Sequence, residues 1–240
     1  MNPRTVGEAK KIAGDVRRAM RSVRGVEAVM CPPFVYLSML SGMVSKNLML
    51  GAQDAFAEVA GAHTGEVSFA QLPQFKTSFV IVGHSERRAM GESDESVNKK
   101  VLAVTNEGMT AILCVGEKIR DKQGDYFAVV REQIVLALKN FSKKSLDHLV
   151  IAYEPVWAIG ARSACQTRDI HEMFIFIKKV LREIFGGLEG GVRILYGGSV
   201  SPENAGEIIC DGFVNGLLVG RDSLNSKDFA EIIRTVDEVK

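Results

Sequence analysis

The stretch Leu149-Val150-Ile151-Ala152-Tyr153-Glu154-Pro155-Val156-Trp157-Ala158-Ile159-Gly160 decides how the chain is read. An apolar run suited to a buried strand ends in an acid, and a stiff Pro-Val-Trp turn and a glycine follow at once. Small and polar residues then continue to Gln166. In an α/β barrel, a carboxylate at the C-terminal tip of a strand with a hinged loop behind it is the arrangement of a catalytic base under a lid. A strand-end acid that only caps the next helix has the same local sequence, so the neighbouring segments have to decide.

Downstream, Thr167 is expected to cap a helix carrying Met173, Phe174, Ile177, Val180, Leu181 and Ile184, ended by Gly186-Gly187. Val192 to Tyr196 reads as a strand running into Gly197-Gly198-Ser199-Val200. Ser201-Pro202 then opens a helix as N-cap and first residue. Phe213 to Val219 is the last strand expected, followed by Gly220-Arg221. A final helix carries Phe229, Ile232, Ile233 and Val236.

Upstream, Thr110 to Val115 and Phe79 to Gly83 read as strands, the second ending at His84. Helices are expected over about Tyr126 to Leu138 and Ser93 to Glu107, the latter stopped by Gly108. Leu48 to Ala52 is a strand that feeds a long irregular segment, Gln53 to Val67; a loop of that length in a compact domain usually has a job. Val26 to Cys31 is a strand stopped by Pro32-Pro33, with a helix through Tyr36 to Met43 after it. The chain opens on a helix started by the capping-box spacing Thr5-Val6-Gly7-Glu8, with Val6, Ala9, Ile12, Ala13, Val16 and Met20 on one face.

Strictly alternating strands and helices imply a parallel sheet. Seven such repeats with chemistry at the strand C-termini favour a (β/α)8 barrel over an open doubly wound sheet. No Gly-x-Gly-x-x-Gly follows any strand, which weighs against a dinucleotide cofactor. No linker, low-complexity tract or charge block interrupts the chain, so residues 1–240 are expected to form one domain. Only Met1 to Arg4 precede the first helix, so the barrel is expected to lack its first strand.

With 30 basic and 29 acidic residues, the net charge of +1 supplies no field for nucleic acid or a membrane surface. A small-molecule partner is the expectation. Cys31, Cys114, Cys165 and Cys210 are far apart, which fits reduced thiols in the cytoplasm and neither a disulfide frame nor a zinc site. No apolar run approaches the ~20 residues of a membrane span.

Three places carry chemistry. His84, at a strand end and a short helix's N-terminus, is expected to stay neutral and to donate a hydrogen bond to a carbonyl or enediolate oxygen; the alternative is a structural histidine. Glu154 is a base of the right kind for removing a proton next to a carbonyl, with Pro155 to Gln166 as the lid that desolvates it. Gly197-Gly198-Ser199 and Gly220-Arg221, on adjacent strand ends, together with Gly160, suit an anion nest for a small phosphorylated substrate. Cys114 reads as core, and Arg87 and Arg88 are expected to pair with acids such as Glu86 or Glu107.

These segments resemble the triosephosphate isomerase family. The match rests on Cys31-Pro32-Pro33-Phe34, Gly51-Ala52-Gln53, Thr64-Gly65-Glu66-Val67-Ser68, Val82-Gly83-His84-Ser85-Glu86-Arg87-Arg88 and Cys114-Val115-Gly116-Glu117. Tyr153 through Gly160, Tyr196-Gly197-Gly198-Ser199-Val200 and Leu218-Val219-Gly220 complete it, in family order over nearly the whole chain. The resemblance implies a TIM barrel and interconversion of dihydroxyacetone phosphate and D-glyceraldehyde 3-phosphate in glycolysis and gluconeogenesis, with no cofactor. It implies Glu154 as base, His84 as neutral electrophile, and backbone at Gly160, Ser199, Gly220 and Arg221 around the phosphate. It further implies a lid over Pro155 to Cys165 and a homodimer through the 53–67 loop.

Three departures accompany the match. The family's opening Gly-Asn-Trp-Lys-Met-Asn strand is met here only from Met1-Asn2, so its lysine is expected to be missing. The lid reads Gly160-Ala161-Arg162-Ser163-Ala164-Cys165 where the family has Gly-Thr-Gly-Lys-Thr-Ala. The final phosphate glycine is Arg221. The alternative function is therefore an impaired or inactive barrel that serves as a phosphate-binding or interaction module. Unpaired strand edges beside the missing strand are expected to make the chain poorly soluble or destabilised.

Overall fold

Apolar residues on both faces of a strand mean that both faces are covered, and the middle of this chain is built that way. In β3 (Thr77–Val82), β4 (Thr110–Val115) and β5 (Leu149–Tyr153) nearly every residue is buried. Alternate side chains divide between two cores. Phe79, Ile81, Ile112, Cys114, Val150 and Ala152 fill the inside of the curled sheet. Val80, Val82, Leu113, Ile151 and Tyr153 face outward, under the helices.

The computed structural model describes residues 2–160 and 165–239. The order runs α1 (Val6–Ala19), β1 (Ala28–Met30), α2 (Leu37–Leu40), β2 (Leu48–Ala52), β3, α3 (Ser85–Ala89), α4 (Asp94–Asn106) and β4. Then follow α5 (Asp125–Ala137), β5, α6 (Thr167–Phe185), β6 (Arg193–Tyr196), α7 (Pro202–Asp211), β7 (Gly216–Leu217) and α8 (Ser226–Glu238). The seven strands pair in parallel, each with its sequence neighbours, in the order β1 to β7. This is the TIM-barrel architecture. Among the described residues no ladder joins β7 to β1.

Local signals explain most boundaries. Thr5 caps α1 by accepting from the Glu8 N–H at 3.1 Å, and Glu8 reaches back to the Arg4 N–H at 2.7 Å. Ser93 caps α4, and Gly108, at φ +79°, ends it. The capping pair Ser201 and Asn204 starts α7, with Pro202 as its first residue.

Four expectations need correction. The strand expected over Phe213 to Val219 is only Gly216–Leu217. Phe213 has a left-handed φ of +57° and lies exposed against the His171 ring, and the Asn215 side chain takes a ladder position by accepting from Ile194 N–H at 2.8 Å. The strand expected over Val26 to Cys31 shortens to Ala28–Met30, since a strand with one paired edge has little to hold its ends. The helix expected over Tyr36 to Met43 breaks into two 3-10 turns around α2, with Pro33 just ahead of the first turn and the weak helix formers Ser41-Gly42 in the second. Gln166, and not Thr167, is the N-cap of α6.

Candidate active site

Glu154 is the first residue beyond β5, and its backbone extends the ladders on both sides. Its N–H donates to Val115 O at 2.8 Å, and the Tyr153 carbonyl accepts from Gly197 N–H at 2.7 Å. Glu154 as a whole is 2% exposed. Neighbouring backbones close around it so tightly that two positions admit no side chain. A Cβ on Gly116 would lie 1.8 Å from Glu154 O, and one on Gly197 would lie 2.9 Å from Glu154 Cγ.

Both carboxylate oxygens have partners. Oε2 accepts from the Ser85 N–H at 2.9 Å, and Oε1 lies 2.9 Å from His84 Nε2. The sheet thus brings the two residues singled out by sequence into direct contact across two strands. His84 is the N-cap of α3, and its Nδ1 accepts from the Glu86 N–H at 3.3 Å. That bond leaves the proton of a neutral ring on Nε2, aimed at Glu154.

The expected effect of the helix dipole on His84 is outweighed. Burial, the largest single influence, pulls the imidazole pKa down, but the hydrogen bond and charge of Glu154, with the charge of Glu86, leave it above the ordinary value. Carboxylate neighbours thus override the short helix. Cys114 lies in the core, as its sequence context implies; burial first, and then the Glu154 charge, hold its thiol well above the usual range.

The hinge after Glu154 is fixed by a buried acid that sequence reasoning left without a role. Glu117, 1% exposed, accepts from the Tyr153 hydroxyl at 2.9 Å and from Trp157 Nε1 at 2.8 Å. Its backbone carbonyl accepts from the Val156 N–H at 3.0 Å. Arg120 lies 3.6 Å from Glu117 and 3.9 Å over the Tyr126 ring. The signal was present in Val115-Gly116-Glu117, a strand end with an acid, but its partners lie about 40 residues away and only the fold reveals them.

Gly160, Ser199, Gly220 and Arg221 line one cavity with His84 and Glu154. Ser199 Oγ donates to Ala158 O at 2.9 Å, linking the hinge to the end of β6. Gly160 has φ +72°. Arg221 begins a 3-10 turn, is exposed, and is not among the residues with positive φ, so a non-glycine residue is tolerated there without strain. Of the expected lid arm, Ala161 to Cys165, residues 161–164 with Arg162 lie outside the described residues, and Cys165 is buried with its N–H donating to the Tyr196 hydroxyl at 3.3 Å. The cavity, of 1720 Å³, exceeds the ~300–1000 Å³ of ordinary ligand sites because it continues between β1 and β7 to the apolar faces of α1 and α8, at Ile12, Val16, Ile232 and Ile233.

Arg87 and Arg88 do not take the partners expected of them. Arg88 pairs with Asp94 at 2.6 Å, and Arg87 lies 2.8 Å from Asp54 and 3.5 Å from Glu92. Glu86 points to solvent, and Glu107 is the C-cap of α4.

A sequence model of the family described as triosephosphate isomerase matches residues 1–236. A relative named triosephosphate isomerase from Thermoanaerobacter pseudethanolicus is 40% identical over 233 residues, covering 95% of this chain and 94% of its own. One of the same name from Aquifex aeolicus is 41% identical over 233 residues, covering 96% and 94%. Another from Symbiobacterium thermophilum is 40% identical over 241 residues, covering 99% and 94%. Matches of this extent, on a sheet that sets Glu154 against His84, mean that the chain belongs to the triosephosphate isomerase family.

Proposed function

We propose that this isomerase interconverts dihydroxyacetone phosphate and D-glyceraldehyde 3-phosphate with Glu154 as the base and His84 as the electrophile. The observation that carries the assignment is the pair of 2.9 Å contacts that hold a buried carboxylate between His84 Nε2 and the Ser85 N–H. Burial keeps water away from the acid, so that its carboxylate meets the substrate carbon rather than solvent. Glu154 removes the proton from the carbon next to the carbonyl, the electrons move to the carbonyl oxygen, and an enediolate forms. His84 Nε2–H gives its proton to that oxygen and takes up the proton of the neighbouring hydroxyl, and Glu154 returns its proton to the adjacent carbon, so that the carbonyl has moved by one carbon and both residues end as they began. For this, the substrate carbonyl takes the place that Glu154 Oε1 occupies beside His84, which frees the carboxylate to act.

The phosphate sits at the other side of the cavity, against backbone N–H groups of Gly160, Ser199, Gly220 and Arg221, with Pro155 to Cys165 as the lid. The Arg221 side chain adds positive charge there. The chain forms one domain over residues 1–240 and pairs as a homodimer in the cytoplasm, with the exposed 53–67 loop reaching into a second copy. Exposed Val59 on that loop, and Val35 and Met90 elsewhere, supply apolar surface for such a contact. No described helix is long and apolar enough to cross a membrane.

The test is isomerisation in deuterium oxide. Proton transfer through a carboxylate places solvent deuterium on the carbon next to the product carbonyl, and Glu154→Gln removes both the deuterium and roughly 10²–10⁴-fold of the rate. Turnover in Glu154→Gln with label and rate intact would overturn the assignment.

A further inference from the structure

Two sets of ion pairs flank the short helix α3. On one side Arg88 Nε donates to Gly83 O at 2.8 Å, Nη1 to Asp94 at 2.6 Å and Nη2 to Cys114 O at 3.4 Å. On the other side Arg87 Nε lies 2.8 Å from Asp54 and 3.5 Å from Glu92. Lys100, from α4, donates to both oxygens of Asp54 at 2.7 and 2.9 Å and also to Glu92. Asp54 and Lys100 are each 5% exposed. Two carboxylates face two cations, which is the balance a buried charge cluster requires.

Stability alone does not call for such a cluster, since apolar side chains of similar volume usually serve as well or better. What it joins is informative. Asp54 stands two residues past β2 at the root of the 53–67 loop, Lys100 belongs to α4, Glu92 to the turn before α4, and Arg87 to α3. With five residues, α3 is a single turn and has too few internal bonds to hold its own orientation. His84 is its N-cap, so whatever pins α3 sets the direction of the imidazole.

We propose that Asp54 and Arg87 are positioning residues for His84, fixing α3 against the end of β2 so that Nε2 points at the reacting oxygen. This rests on the role assigned to His84 above. Their carboxylate and guanidinium act through α3, and the same contact ties the root of the 53–67 loop to the acid–base pair.

The test compares Arg87→Met, Arg87→Lys and Asp54→Asn in kcat, KM, melting temperature and the nitrogen NMR signals of His84 in the resting protein. Arg87→Met is expected to lower kcat by roughly 10- to 100-fold, as a misplaced electrophile does, with KM within about twofold and the His84 Nε2 signal shifted. Arg87→Lys keeps the charge at a half-exposed position and is expected to recover part of kcat. It also carries the test if either other variant fails to fold. A fall in melting temperature with kcat and the His84 signals unchanged would reduce the cluster to a structural brace and overturn the proposal. If instead the reading of His84 is wrong, His84→Gln keeps its rate while the His84 signal of Arg87→Met still shifts, which separates the two failures.

Discussion

Glu154 and Arg221 both follow strands of one sheet, yet their surroundings have little in common. Around Glu154 the strands β3, β4 and β5 are five or six residues long, paired on both edges and buried on both faces. Both carboxylate oxygens have partners, and Gly116 and Gly197 leave no room for a side chain of their own beside Glu154. Around Arg221 the strand is two residues long, paired on one edge only, and the side chain stands in solvent. The acid–base half is a fixed framework. The phosphate half is a rim of backbone groups and one exposed cation. Proton transfer needs sub-ångström placement, whereas a doubly charged phosphate is held by the sum of several softer contacts, so the two tasks tolerate different degrees of order.

The largest expected effect comes from disturbing the fixed half. Gly116→Ala puts a methyl carbon 1.8 Å from the Glu154 carbonyl, and backbone cannot yield as a side-chain tip can. A loss of about 3 kcal/mol in denaturant unfolding, with most of the activity, is expected. A variant of unchanged stability would show that the framework gives way more easily than its geometry implies.

Next in size is Trp157→Phe, which leaves Glu117 buried with one donor fewer. The expected cost is ~1–3 kcal/mol. Turnover is expected to change as well, because the hinge behind Glu154 loses its anchor. An unchanged melt together with unchanged kcat would contradict the anchoring role.

A smaller change, confined to pH, concerns His84. Its folded pKa stands above the ordinary 6.5, held there by Glu154 and Glu86 against the pull of burial. The stability this provides is complete below pH ~6.5 and is lost as the pH climbs through the raised value. Melting temperatures of the wild type are therefore expected to fall over that interval relative to Glu154→Gln, which lacks the main cause. A gain in relative stability with rising pH would reverse the sign and refute the account.

The fixed half was also the legible half. Phe79 to Gly83, Thr110 to Val115 and Leu149 to Tyr153 are short, almost wholly apolar runs, whose length and flanking glycine or proline fit strands covered on both faces, so His84 and Glu154 could be placed at strand ends. Phe213 to Val219 is apolar at both ends but is interrupted by Asn215-Gly216. Its reduction to two paired residues depends on the left-handed Phe213, which leaves no mark on an apolar pattern, and on the Asn215 side chain, whose place before Gly216 was the one sign of an interruption. The ion pairs failed for a related reason. Arg87 lies closer in sequence to Glu86 than to Asp54, but successive helical residues point apart while β2 and β3 are neighbours in the sheet. Glu117 required the same knowledge of which loops meet. The raised His84 pKa followed from a contact between residues 70 positions apart, where the sequence offered only the helix beside it.

The contrast between the halves is tested most directly by measuring kcat and KM for Glu154→Gln and Arg221→Ala side by side in one isomerase assay. Both variants are expected to fold, since one is isosteric and the other removes an exposed side chain whose loss changes stability by about 0.5 kcal/mol or less. Glu154→Gln is expected to lose roughly 10²–10⁴-fold in kcat with little change in KM. Arg221→Ala is expected to keep kcat and to raise KM by a few-fold, an effect that shrinks with added salt. A large loss of kcat in Arg221→Ala, or a Glu154→Gln enzyme altered only in KM, would contradict the division of labour between the two halves.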